Sequence, residues 1–189
     1  MDPSMILTPA KARDEDFLAA LEALAPDLCV TAAYGNVLPQ RFLDIPAHGT
    51  LNIHPSLLPL YRGASPVQRA VESGAAETGV SVAYTVRAMD AGPVLAQRTV
   101  AVGENITAPA LLGELFALGT QMLIDELPSV LSGGGGARAV PQDAGGVTHA
   151  EKLSKEEGIL DFSLPARALH NKVRAFTGWP GTSATLLLR

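Results

Sequence analysis

Leu51-Asn52-Ile53-His54-Pro55-Ser56-Leu57-Leu58-Pro59-Leu60-Tyr61-Arg62-Gly63-Ala64-Ser65-Pro66-Val67-Gln68-Arg69 is the stretch on which the fold turns. Gly49 to His54 reads as a short strand. Side chains alternate between faces along a strand, so Leu51 and Ile53 share one face and Asn52 and His54 the other. Two polar groups able to donate, accept and move protons therefore sit side by side where the strand ends. Pro55 stops the ladder and Pro59 stiffens the turn. Ser65 before Pro66 predicts a helix start, with Ser65 as N-cap and proline in the first turn. Strand, polar pair, rigid loop and helix in succession describe the carboxyl end of a strand in an open α/β sheet, where such sheets bind their ligands.

The rest of the chain agrees with a folded α/β domain. Of its 189 residues 47% are hydrophobic and 17% charged, a balance that excludes intrinsic disorder. Aromatics are only 5%, which leaves the core to Ala, Val, Leu and Ile. The formal net charge of -5 argues against a chain built to grip phosphates without specificity. That charge is uneven: residues 1–150 hold 8 basic and 15 acidic groups, while 151–189 hold 6 and 4. Cys29 is the single cysteine, so neither a disulfide framework nor a cysteine metal cluster can form within one chain. No apolar run approaches membrane-spanning length. Met1-Asp2-Pro3-Ser4-Met5 has no basic or Arg-rich amphipathic character, so no targeting peptide is visible.

Apolar periodicity predicts a helix over Asp14–Leu24, carrying Phe17, Leu18, Leu21 and Leu24. Leu28 to Ala33 is a compact apolar run, expected as a buried parallel strand, and Tyr34-Gly35-Asn36 turns at its carboxyl end. A short helix is expected around Gln40 to Leu43. The helix begun at Ser65 should run to Ser73 and stop at Gly74. Thr78–Val86 and Val94–Val102 read as strands joined by Met89-Asp90-Ala91-Gly92-Pro93, close enough to pair antiparallel. Thr107 is expected to cap a long helix bearing Leu111, Leu112, Leu115, Phe116, Leu123 and Leu127. Gly133 to Gly136, with Gly145 and Gly146 beyond, mark 132–150 as a flexible linker. Lys152 to Phe162 looks partly extended. Ser163 is expected to cap a helix whose Leu169, Val173 and Phe176 face one way. Trp179-Pro180-Gly181 ends it, and Thr182 to Leu188 reads as a strand.

Three groups carry chemistry. Asn52 and His54 are a carboxamide and an imidazole on one strand end. Asp90 adds a carboxylate in a second loop after a strand of the same sheet. Such a trio can stabilise an oxyanion, move a proton and keep an imidazole charged. No Ser–His or Cys–His nucleophile accompanies it, and His48, His54, His149 and His170 lack metal-ligand spacing. The pattern suggests attack on a carbonyl carried by one bound substrate, with the nucleophile supplied by another.

Asn52-Ile53-His54-Pro55-Ser56-Leu57-Leu58-Pro59, with Asp90 one helix and one strand later, resembles the signature of the folate-dependent formyltransferases. Tyr61-Arg62-Gly63-Ala64-Ser65-Pro66, the Ala32-Ala33-Tyr34-Gly35 turn, Ser154 to Phe162 and Trp179-Pro180-Gly181 resemble the branch that formylates methionyl-tRNA. The Arg-Gly-x-x-Pro and Asp90-Ala91-Gly92 features also suit the sugar-nucleotide branch, and an inactive folate-binding fragment is the alternative from outside enzymology. The resemblance implies 10-formyltetrahydrofolate as formyl donor, no metal, and initiator methionyl-tRNA as partner. It gives Asn52 and His54 to the oxyanion and Asp90 to His54 and the amine's proton. Ser56, Leu57, Leu58 and Pro59 would line the folate site, Tyr34, Gly35, Asn36 and Val37 would wall it, and Arg62 would meet the tRNA end. The fold implied is α/β, the second half of a Rossmann-like formyltransferase domain over 1–131. A Gly-rich linker over 132–150 and the start of a C-terminal β-barrel (OB-like) domain over 151–189 would follow, the chain being incomplete at both ends. Residues 1–189 alone would then leave an open sheet edge and transfer no formyl group. The complete protein would be a monomer without membrane attachment, placed in the cytoplasm of a bacterium or in a mitochondrion or plastid.

Overall fold

A computed structural model describes residues 6–185. Helix α1, Glu15–Leu24, carries Glu15 and Asp16 in its first turn, where they suit the helix dipole, and ends at Ala25 in a left-handed conformation. Strand β1, Cys29–Ala32, and the short helix α2, Gln40–Leu43, follow. Phe17 stacks on Phe42 at 6.2 Å between ring centres, and Arg41 pairs with Glu15 and Glu22, so α1 and α2 hold each other. Strand β2 spans Thr50–His54, β3 Arg62–Gly63, helix α3 Pro66–Glu72, β4 Glu77–Tyr84 and β5 Val94–Ala101. The long helix α4 covers Ala108–Leu131, α5 Gly135–Arg138, β6 His149–Ala150 and α6 Ala166–Ala175.

The main sheet has the order β1-β2-β4-β5. β1 runs parallel to β2, placing Ala32 beside Ile53; β2–β4 and β4–β5 are antiparallel, placing His54 opposite Ser81 and Ser81 opposite Gln97. Directly opposed residues share a face. One face is therefore apolar: Leu51, Ile53, Val80 and Val82 are buried with Leu111, Leu115, Met122 and Leu123 of α4. Each such side chain contributes roughly 1.5–3 kcal/mol when removed from water. Gly119 lets α4 approach, since a Cβ there would lie 2.5 Å from Ile53 and 2.7 Å from Val80. The opposite face carries Thr31, Asn52, His54, Ser81 and Gln97, the polar set on which the site is built.

Several expectations are corrected. β1 is not a buried strand: among the described residues it pairs with β2 alone, it forms the sheet edge, and Val30 is 46% exposed. Ser65 and Thr107 occupy the N-cap positions of α3 and α4, but neither hydroxyl bonds into its helix. Proline at the start of each helix removes one donor that a cap would satisfy. α6 starts at Ala166, with Pro165 rather than Ser163 before it. Its buried side is Asn171, Arg174, Ala175 and Phe176, while Val173 is 44% exposed. Periodicity misread that face because a guanidinium is buried in it: Arg174 donates to the carbonyls of Gly103 at 3.1 Å and Ile106 at 3.3 Å and to Asn171 Oδ1.

The segment 132–150, expected as a flexible linker, is packed instead. Gly133 closes α4, and α5 folds back so tightly that a Cβ at Gly135 would come within 2.7 Å of the Tyr84 hydroxyl and of Val130. Val140 pairs with Val94, and β6 runs parallel to β3. Gly135 serves close approach, and Gly133 supplies the left-handed backbone, φ 83°, at the end of α4. Ser183 bridges Ile159, and the remainder of the expected Thr182–Leu188 strand lies outside the described residues from 186 onward.

Candidate active site

The strand end at His54 gathers the three groups expected to do chemistry. His54 is 4% exposed. Its Nδ1 lies 3.7 Å from Asp90 Oδ1 and its Nε2 lies 3.1 Å from the carbonyl oxygen of Tyr61. Both ring nitrogens thus face oxygen acceptors, and a doubly protonated ring can donate at each. The other oxygen of Asp90 accepts the Gly63 amide at 2.9 Å. Asn52, on the same face two residues before His54, accepts at Oδ1 the hydroxyl proton of Thr31 at 3.0 Å. This contact crosses from β1 to β2 between residues paired in the parallel register. It turns the carboxamide so that its N–H groups are left as donors.

Backbone strain concentrates at the same place. Among the described residues the non-glycine positions with positive φ are Ala25, Ala33, Tyr61 and Asp90. Ala33 leaves β1 beside His54, Tyr61 presents its carbonyl to the imidazole, and Asp90 is the acid itself. Each such conformation costs on the order of 1–3 kcal/mol and persists where surrounding contacts enforce it, a pattern typical of functional sites.

The loop after His54 is braced from beneath. Ser56 donates to the Leu60 carbonyl at 2.6 Å. Ser81, from the middle of β4, donates to the Ser56 carbonyl at 2.6 Å and accepts the Leu58 amide at 3.1 Å. Gln97 donates to the Leu58 carbonyl at 2.7 Å. Ser56 and Leu58 therefore turn inward, at 0% and 5% exposure, and shape the loop. Side-chain surface for a ligand is left to the half-buried Leu57 and Pro59. Tyr34, Gly35, Asn36 and Val37 leave the carboxyl end of β1, the same sheet end as His54, and are exposed, Tyr34 at 39% and Val37 at 87%.

Arg62 does not stand free in a solvated loop. Its Nε and Nη2 both donate to Gln142 Oε1, at 3.0 and 2.6 Å. The amide of Gln142 donates in turn to the carbonyls of Asp90 at 2.8 Å and Gly92 at 2.7 Å. Thr31, Ser81, Gln97 and Gln142 are parts of the site that sequence reasoning missed. Thr31 and Ser81 carried a faint signal as lone polar residues inside apolar strands. Gln142 carried none, because its partners lie 50 to 80 residues away.

The formyl transferase family model matches residues 3–127, and that of the formyl transferase C-terminal domain matches 152–188. The methionyl-tRNA formyltransferase of Myxococcus xanthus is 44% identical over 181 residues, 96% of this chain and 57% of that protein. That of Bordetella pertussis is 49% identical over 168 residues, 89% of this chain and 53% of that protein. The chain thus spans a little over half the length of these relatives. Among solved structures, a sugar N-formyltransferase from a Shewanella species superposes with a TM-score of 0.75 at 18% identity, covering 92% of this chain and 70% of that one. HypX from Aquifex aeolicus in complex with tetrahydrofolic acid superposes with a TM-score of 0.73 at 22% identity, covering 89% and 29%. At such identities these two likenesses speak for the fold, while the first match, over residues 3–127, takes in well over half of the sequence: this chain belongs to the formyl transferase family.

Proposed function

We propose that this chain carries the transfer centre of a protein that moves a formyl group from 10-formyltetrahydrofolate to the amine of initiator methionyl-tRNA. The observation that carries the proposal is the buried His54 set between Asp90 and the Tyr61 carbonyl, with Asn52 beside it on one sheet face. The identity to proteins named methionyl-tRNA formyltransferase supports the choice of acceptor. The ranges of the two family matches support a division into a catalytic part over 1–131 and the beginning of a second domain over 151–189.

In this reading the methionyl amine attacks the formyl carbon and the carbonyl pair moves onto oxygen. The N–H groups of Asn52, oriented by Thr31, and the imidazolium of His54 stabilise that oxyanion; a preorganised donor in a dry site is worth on the order of a hundredfold or more. Asp90 balances the charge of His54 and accepts the proton the amine gives up. The oxyanion then collapses, the bond to the folate nitrogen breaks, and that nitrogen leaves with the proton that Asp90 took from the amine. Leu57, Pro59 and the Tyr34–Val37 turn offer the flat donor an apolar and aromatic surface at the carboxyl ends of β1 and β2, where open α/β sheets place ligands. Arg62 keeps three N–H donors beyond those spent on Gln142, enough to meet a phosphate of the acceptor.

The test is a competition assay on the full-length protein with labelled 10-formyltetrahydrofolate. Label should pass to methionyl-tRNA and be unaffected by an amino-sugar nucleotide. Transfer to the sugar nucleotide instead would establish that acceptor, and folate binding without transfer to either would overturn the catalytic reading.

A further inference from the structure

Asp90 holds a left-handed backbone, φ 49°, that an aspartate adopts at a cost. Two residues on, Gly92 is so close to β4 that a Cβ would lie 1.8 Å from the Tyr84 carbonyl. The turn is therefore pressed against the sheet, and its outward carbonyls need donors. Gln142 supplies both, at 2.8 Å to Asp90 and 2.7 Å to Gly92. Its own oxygen is taken by the two nitrogens of Arg62. One carboxamide thus uses both N–H groups and its oxygen, all on residues of the site.

The strand geometry completes the clamp. Arg62 and Gly63 form β3, which runs beside β6, so Arg62 and the Gly63 amide that binds Asp90 Oδ2 move as one unit. Asp90 is held at its carbonyl by Gln142 and at its carboxylate by Gly63, and Arg62 links the two holds. Thr148 adds a tie from the same segment, its hydroxyl accepting the Tyr61 amide at 2.7 Å, next to the carbonyl that faces His54. A purely structural glutamine would serve as well with any packing partner. Among the described residues, every side-chain hydrogen bond of this one goes to the acid's loop or to the arginine.

We propose that Gln142 is a positioning residue that couples Arg62 to the Asp90 turn and so sets Asp90 against His54. The inference deepens the formyl-transfer reading and rests on it for its effect on rate. Contact between Arg62 and an anionic acceptor would then be felt at Asp90 through a single side chain.

Two variants of the full chain test it. Gln142→Glu keeps the length and the Arg62 pair but sets a carboxylate oxygen against the Asp90 and Gly92 carbonyls. Gln142→Met keeps the volume and loses every bond. Displacement of a reacting group by about 1 Å costs on the order of a hundredfold. In both variants kcat should fall roughly ten- to a hundredfold while KM for the folate donor moves less than about threefold. In an Asp90→Ala background the same changes should cost nothing further, because Gln142 acts through Asp90. Hydrogen exchange at the Gly63 amide, measured by NMR without substrate, should speed up about tenfold as Asp90 loosens. Rates within twofold of the parent, equal losses in the Asp90→Ala background, or unchanged Gly63 exchange would each overturn the proposal. If Gln142→Met does not melt cooperatively, Gln142→Glu decides. A parent protein that transfers no formyl group defeats the catalytic reading, and Gly63 exchange then judges alone whether Gln142 holds Asp90.

Discussion

Asp90, in the turn between β4 and β5, and His54, at the end of β2, meet at 3.7 Å, and the carboxylate oxygen not facing the ring is fixed by the Gly63 amide at 2.9 Å. The acid is thus aimed rather than merely near. His54→Ala should cut formyl transfer by roughly two to four orders of magnitude, the range for a general acid–base group. Asp90→Asn keeps an acceptor for Gly63 but removes the charge beside His54, and should cost on the order of a hundredfold. Steady-state rates on the full-length protein check both, with folate affinity as control. Near-parental rates in His54→Ala would end the assignment.

Asn52 depends on Thr31. Asn52→Ala should lower kcat on the order of a hundredfold, as for loss of one oxyanion donor. Thr31→Val removes the bond that orients the carboxamide, together with a longer one to the Leu51 carbonyl at 3.4 Å, and should cost about tenfold with folate binding unchanged. A Thr31→Val protein as fast as the parent would show that Asn52 needs no support from β1.

Arg69 joins α3 to the segment before α6. It donates to both Glu157 oxygens, at 2.6 and 3.2 Å. This bond, with help from the Ser154 amide, holds the Glu157 carboxyl below the usual carboxylate range. A carboxyl lowered on folding adds stability that is fully present above its unfolded value of about 4.3 and is lost as pH falls through its folded value. Glu157→Gln should therefore destabilise the protein at pH 7, by about 1 kcal/mol for a two-pronged, partly buried pair. That gap should close as pH drops below about 4. Thermal melts of parent and variant across that range measure it; a gap independent of pH would refute the ionic origin.

Among the described residues β1 pairs with β2 alone, which leaves its other ladder edge open, with Val30 46% exposed. Such an edge is a template for pairing with another chain, and lysine is a common guard. Val30→Lys should reduce concentration-dependent association of this chain and leave its melting temperature within a few degrees. Light scattering with and without the substitution checks this, and equal association would place the sticky surface elsewhere.

Alternation along 50–54, prolines at 55, 59 and 66, and turn residues around Asp90 were enough to place β2, its loop, α3 and the β4–β5 hairpin from the sequence. They sufficed because strand and turn preferences are local: each depends on neighbours one to four residues away. The pairing of Asn52 with His54 on one face was equally local. What only the tertiary structure decided was everything held by distant partners. Gly133 to Gly136 read as slack because glycine is permissive, yet Gly135 is glycine because Tyr84 and Val130 leave no room for a side chain. Leu169, Val173 and Phe176 read as one face of α6 because apolar spacing is all the sequence shows, yet Val173 is exposed and Arg174 is buried, satisfied by the carbonyls of Gly103 and Ile106. Gln142 read as nothing at all, because a carboxamide takes its meaning from what it bonds, and Arg62, Asp90 and Gly92 reach it only once the chain has folded back on itself.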